Sequence, residues 1–274
     1  MKKYFLRHVA LTNQHGSWVF LLSPLAIGLA AANAWHQGVI FLTAAALSGF
    51  LLHHPLTLAL KMAGGRKSRR ELPAVIFWAA VYGLLLLISL GGLIRTGRGY
   101  LLILGLPAGA VFLWYLLLVY RREERRQLGL ELVGSGVLAL AAPAGYWVGV
   151  GSAEPAGWWL WGLTWLQSAA SIVYAYLRLE QREFERAPSL RQQIQMGVRS
   201  FMYVSFNLAA VGLLSAFGLV PEWLFVPYLL QWLETSWGIT HPAVGWKPTR
   251  IGWRQLAVST LFTGLFILAW RLSG

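Results

Sequence analysis

Residues 73–94 read PAVIFWAAVYGLLLLISLGGLI, a run of 22 residues without one charged side chain. As a helix it would be ~33 Å long, enough to cross the hydrocarbon core of a bilayer, which is ~30 Å thick. Comparable runs recur along the whole chain and predict nine spans, at roughly 18–34, 38–60, 73–94, 100–120, 128–149, 157–177, 200–218, 221–237 and 254–270. The reading is an all-α polytopic membrane protein whose 274 residues form a single transmembrane domain, 1–274. Composition agrees. Apolar residues make up 57% of the chain and charged residues only 12%, against about 25% in a typical soluble domain. All ten acidic residues are Glu; there is no Asp and no Cys. Chemistry that needs an Asp ligand, an Asp nucleophile, a thiolate or a disulfide is therefore excluded. No phosphate-binding loop, dinucleotide fingerprint or hydrolase motif is present.

Basic residues set the expected orientation. With nine spans, twenty Lys and Arg fall on one side of the membrane and three (Arg95, Arg98, Arg271) on the other. The positive-inside rule then puts the N-terminus in the cytoplasm and the C-terminus outside, in the cytoplasmic (inner) membrane of the cell. Met1-Lys2-Lys3 leads through a polar stretch into the first span, without the short apolar core of a cleavable signal. The net charge of +13 sits in loops beside the membrane, so anionic headgroups explain it and nucleic acid is not implied. Trp residues near the ends of the spans read as an interfacial belt.

Ionisable groups at membrane depth are costly and mark partners, cavities or function. Here they gather toward the cytoplasmic side: His15, His53, His54, Glu131, Arg178, Glu234 and His241. His53, Thr57 and Lys61 are spaced i, i+4, i+8 and share one helix face; Arg178, Arg182 and Arg186 repeat that spacing at the end of span 6. The plain alternative for the second set is a solvated helix extension, since Glu180, Glu183 and Glu185 interleave with it. Glu131 and Glu234 lie about one turn inside their spans, where each either pairs with an Arg or carries protons. Residues 238–254, with His241, Lys247 and Arg250, are rich in Pro and Trp; they read as an interfacial hairpin or re-entrant lid, or as a plain connector. Only span 2 holds a His within the membrane, so no haem, metal or other cofactor is read.

Two segments carry a family resemblance. Gln14-His15-Gly16-Ser17-Trp18 resembles the His-Gly-small-Trp opening of the YwiC-like bacterial membrane proteins. Lys247-Pro248-Thr249-Arg250-Ile251-Gly252 resembles that family's Lys-Pro-x-x-x-Gly segment. The nine-span layout also resembles the UbiA superfamily of membrane prenyltransferases, in which loops after spans 2 and 6 cap an Asp-rich magnesium site. That resemblance implies a UbiA-like bundle, with His53, Thr57 and Lys61 facing Arg178, Arg182 and Arg186. Without Asp, the magnesium site cannot exist in its usual form.

The leading expectation is a cytoplasm-facing cationic pocket that binds an anionic amphiphile, such as a prenyl or lipid phosphate, without metal. Guanidinium groups hold such anions directly. His53, Thr57, Lys61, Arg178, Arg182, Glu234, His241, Lys247 and Arg250 are the candidate ligand-binding residues. His15 and Glu131 are the candidate acid–base groups if a transferase reaction occurs, which the sequence leaves open. The alternatives are a non-catalytic subunit or assembly factor with a membrane-protein partner, and a proton-coupled transporter.

Overall fold

A computed structural model describes residues 4–11, 15–123 and 128–272, apart from the side chains of His15 and Gly16. Among these residues the chain is helical throughout, with no strand. A short helix α1 (Arg7–Ala10) precedes α2 (His15–Ala32), α3 (Gln37–Ala63), α4 (Leu72–Arg95) and α5 (Gly105–Arg121). Then follow α6 (Leu128–Ala139), α7 (Ala141–Val150), α8 (Pro155–Gln181), α9 (Leu190–Ala216), α10 (Phe225–Thr240) and α11 (Pro248–Leu272). Short 3-10 helices at Arg69–Glu71, Gly99–Leu104 and Glu222–Leu224 lead into α4, α5 and α10.

Helical rods stand at each of the expected positions, and six are long and apolar enough to cross a membrane. These are Gln37–Ala63, Arg69–Arg95, Gly99–Arg121, Leu128–Val150, Leu190–Ala216 and Pro248–Leu272, with Ser17–Ala32 a shorter apolar helix. The rod at 128–150 is broken at Leu140, between α6 and α7. Pro143 lacks the N–H that would bond to the carbonyl of Ala139, so the ladder restarts beyond it.

Two connections are shorter than the sequence reading proposed. α8 runs to Gln181, and α9 starts at Leu190 behind a capping box made by Ser189 and Gln192. The hairpin or lid expected over 238–254 is also corrected. α10 continues to Thr240 and α11 opens at Pro248, leaving only 241–247 between them. Proline at the first helical position costs no hydrogen bond, so Lys247-Pro248 starts a helix, and Arg250 and Arg254 lie in its first two turns.

Packing divides around α2. Leu21 and Leu25 join Leu42, Leu93, Leu140 and Trp147 in one core, while Ile27 joins Leu160, Val211, Tyr228 and Phe266 in another. α2 and α7 lie close because both present glycine at the crossing. A Cβ on Gly28 would sit 2.0 Å from the carbonyl oxygen of Ala142. Outward-facing side chains such as Leu87 on α4 and Leu106 on α5 are 68% and 72% exposed. A surface this apolar suits lipid rather than water.

α8 departs from the rest. It is 27 residues long, yet Thr164, Gln167, Ser168, Ser171, Arg178 and Gln181 are all buried. Those polar groups keep it off the set of strongly apolar helices. It is instead enclosed by α2, α6, α7, α9, α10 and α11.

Candidate functional site

Residues 167, 171, 174, 178 and 181 of α8 advance in alternating steps of four and three, which keeps them on one face. α10 lies along that face in the same direction, and polar contacts join the two rung by rung. At the deepest rung Gln231 Nε2 donates to the Gln167 carbonyl at 3.0 Å and to Ser171 Oγ at 3.1 Å. Gln167 Nε2 donates to the same hydroxyl at 3.0 Å. Gln231 Oε1 and Thr235 Oγ1 are buried here without a hydrogen-bond partner.

At the next rung the Tyr174 hydroxyl donates to Glu234 Oε1 at 3.1 Å. Glu234 also accepts a two-pronged pairing from Arg254 of α11, Nε to Oε1 at 2.6 Å and Nη2 to Oε2 at 2.8 Å. Parallel bonds of this kind are the strongest carboxylate–guanidinium geometry.

The last rung is built on Arg178, which is 1% exposed. Its Nη1 donates to the carbonyls of Gly238 at 2.7 Å and His241 at 2.8 Å, and to Gln181 Oε1 at 2.9 Å. Both carbonyls lie at the C-terminal end of α10, where the helix dipole favours a cation. Gln181 completes the stitch. Its Nε2 donates to the Gly238 carbonyl at 3.3 Å, and its Oε1 accepts from the Ala243 amide at 3.3 Å. The Gly245 amide donates to the Arg182 carbonyl at 3.4 Å. The turn 241–247 is thus held to the end of α8 by side chains that span the gap.

Charge at this rung is not balanced. The guanidinium carbons of Arg250, Arg178 and Arg254 lie 4.0, 5.0 and 6.0 Å from the ring centre of Trp246. Arg254 also lies 3.9 Å from the centre of Trp237, on which the His241 ring stacks at 4.6 Å. Among the described residues one carboxylate, Glu234, is hydrogen-bonded into this group of three cations. Arg178 Nη2 is buried without a partner, and all the acceptors of Nη1 are neutral. Glu234 lies near enough to act on Arg178 electrostatically without bonding to it, so the one carboxylate is shared among the three guanidiniums. Lys247 and Arg250 are exposed beside it at the start of α11. Both indole rings are engaged by cations of the protein itself.

The other sequence candidates lie elsewhere. His53 packs against Tyr115 and Phe112 of α5, with ring centres 4.6 and 5.7 Å apart, and Thr57 spends its hydroxyl on the His53 carbonyl at 2.8 Å. Lys61 is half-buried in the last turn of α3. This face does not converge with the arginine face. α3 packs chiefly against α4, α5 and α7, and α8 against α6, α9, α7 and α2 with α10 and α11; α2 and α7 stand between the two. Glu131 is exposed and accepts from the Tyr176 hydroxyl at 2.8 Å, away from the arginines. Arg182 contributes its carbonyl, and Arg186 is exposed. The side chain of His15 lies outside the described residues. No three His, Cys, Asp or Glu residues among those described cluster as a metal site.

Sequence reasoning missed Tyr174, Gln181 and Arg254 as members of the site. A signal was available for all three. Tyr174 and Gln181 fall on the Arg178 face at i−4 and i+3, and Arg254 follows Lys247 and Arg250 at a helical interval.

The family model described as YwiC-like protein matches residues 11–146, and the chain belongs to that family. The matched segment includes the His15-Gly16-Ser17-Trp18 stretch and ends before the α8–α10 seam begins. No curated protein matches the chain, and no solved structure does.

Proposed function

We propose that this chain, a multi-pass membrane protein of the YwiC-like family, resides in the cell membrane and binds an anionic amphiphile at the end of the α8–α10 seam. The ligand class is a lipid with a phosphate headgroup. Lys247 and Arg250 meet the headgroup at the surface, and Arg254 and Arg178 supply positive charge behind them. The observation that carries this reading is the imbalance of three guanidiniums and one carboxylate around Trp246. A second feature supports a lipid over a free ion. A shallow apolar groove runs along α11 past Trp253, Leu256, Thr260, Gly264 and Leu268, starting one turn beyond Arg250. A headgroup at Arg250 leaves an acyl or prenyl chain lying along it.

The nine-span layout with a cytoplasmic N-terminus belongs to the same proposal, and it puts this site at the cytoplasmic surface. His53, Thr57 and Lys61 are not part of it, and no reaction is assigned. A proton-coupled transporter is the second reading, favoured by the polar face of α8, which continues from Tyr174 inward to Gln167 and Thr164.

The test is native mass spectrometry with lipid extraction from detergent-purified protein. A phosphate-bearing lipid should co-purify and be depleted at least several-fold in Lys247→Ala/Arg250→Ala protein. Wild-type protein without lipid, or lipid retained equally by the double variant, overturns the reading.

A further inference from the structure

We propose that the α8–α10 seam holds a file of bound water that enters beside Arg178 and ends at Gln231, a hydrated half-path whose inner end Tyr228 closes. This goes beyond anion binding and does not depend on it.

Three buried polar atoms without a hydrogen-bond partner lie at successive levels of this seam: Gln231 Oε1, Thr235 Oγ1 and Arg178 Nη2. Their residues are 6%, 1% and 1% exposed. Gln231, Thr235 and Gly238 follow each other at i, i+4 and i+7 on α10, and Arg178 bonds to the last of them. Those steps rise ~6 Å and ~4.5 Å along the helix. One water bridging two groups at ~2.8 Å each spans about the same distance. Thr235 is the telling member. Nearby hydroxyls on the same helices turn back on their own backbone. Thr164 donates to the Leu160 carbonyl at 2.8 Å, Ser168 to that of Thr164 at 2.9 Å and Ser236 to that of Trp232 at 2.8 Å. Thr235 makes no such bond. Ser171 Oγ accepts from both Gln167 and Gln231, which leaves its proton to donate. A water beside Gln231 therefore meets an amide oxygen to donate to and two hydroxyls to accept from. Buried water is held by partners of this kind and number, and without it these groups are desolvated for nothing.

Inward of Gln231 the seam turns apolar. Tyr228 is fully buried, and its hydroxyl is spent on the Leu163 carbonyl at 2.8 Å. Its ring meets Phe262 edge-on, with centres 5.1 Å apart, and Leu160, Val211, Leu224 and Phe266 belong to the same cluster. Water has little to bond there, so the file stops. The other end opens beside the turn 241–247, where Lys247 and Arg250 are exposed. Three guanidiniums at that mouth repel cations, while neutral molecules and anions can approach it. A half-path of this kind is what the transporter reading requires on one side of the membrane.

The experiment is X-ray hydroxyl-radical footprinting of the full chain in detergent, read by mass spectrometry. Radiolysis of bound water oxidises the side chains beside it, buried ones included, and tyrosine reacts readily. Tyr174 and Tyr228 are buried alike, at 3% and 0% exposed. Tyr174 borders the file, with its hydroxyl against Gly238 and bonded to Glu234, whereas Tyr228 lies beyond the inner end. Tyr174 should therefore be oxidised several-fold faster than Tyr228. Thr235→Val keeps the shape and removes the hydroxyl. It should cut oxidation of Tyr174 several-fold and lower the thermal midpoint, because the water loses a partner. If Thr235→Val does not fold, the wild-type ratio of the two tyrosines still decides. Equal protection of both overturns the file, and equal oxidation overturns its closed end. A Thr235→Val protein that is oxidised like wild type, or that melts higher, overturns the placement of water at Thr235, since a dry hydroxyl gains by becoming a methyl. Lipid binding is not part of this readout, so the anion site stands or falls separately.

Discussion

The Tyr174 hydroxyl fills the space that a side chain on Gly238 would need: a Cβ there would lie 1.9 Å from it. This close approach of α8 and α10 is what lets the Gly238 carbonyl receive both Arg178 and Gln181. The site is therefore set by a backbone crossing as much as by its charges.

Gly238→Ala should lower stability by about 1–3 kcal/mol, as overpacking does in a close-packed interior. Thermal unfolding in detergent measures it. Adding Tyr174→Phe should recover part of the loss, because the ring carbon behind the hydroxyl is still 2.7 Å from the new methyl. Strictly additive effects would mean that the two residues do not meet.

Two glycines of the bundle should respond in opposite ways. A methyl on Gly28 meets backbone, the Ala142 carbonyl oxygen at 2.0 Å, which no rotamer can relieve. Gly264 on α11 faces open space. Gly28→Ala should destabilise strongly, while Gly264→Ala should be neutral or gain up to about 1 kcal/mol from helix propensity. Equal responses would contradict the α2–α7 crossing.

Arg178→Met should loosen the turn 241–247. Losing hydrogen bonds from a charged donor to the Gly238 and His241 carbonyls costs on the order of 3 kcal/mol. Limited proteolysis should then cut first within 241–247. Arg178→Lys should restore only part of the protection, because an ammonium lacks the planar fork of guanidinium. Wild-type resistance in Arg178→Met would show that the stitch is not what orders the turn.

The chain has no cysteine, so single substitutions report orientation directly. Ala153→Cys and Glu185→Cys both fall at exposed positions, in connections at opposite ends of α8. A membrane-impermeant maleimide should label the first in intact cells and the second only after permeabilisation. The reverse pattern would invert the orientation expected from the basic loops.

The class of fold was legible because it rests on one strong signal, the apolar runs such as 73–94. Boundaries were less so. Pro143 splits a run that reads as continuous, and Pro248, which looks like an interruption, opens a helix. Arg178 stood out as the cation nearest an apolar stretch, but its partners are mostly backbone carbonyls at the end of α10, which leave no trace in side-chain pattern. The pairing of Glu234 with Arg254 spans two helices and a turn, so only their assembly reveals it. His53, Thr57 and Lys61 show the converse. Their spacing does place them together, yet one is spent on aromatic packing and another on its own helix.

α8 also bears on how the chain is made. An arginine and a row of amides and hydroxyls make it a poor candidate for partitioning into lipid alone, where each such group is costly. Yet Gly238, His241 and Gln231, which satisfy those groups, are synthesised some 57 to 64 residues later. During biogenesis α8 must therefore wait at the insertion machinery, or beside α6 and α7, until α10 emerges. A ribosome-bound chain that stops short of α10 should expose α8 to quality-control proteases. The seam that organises the finished protein is thus also the last part of it to become tolerable to the membrane.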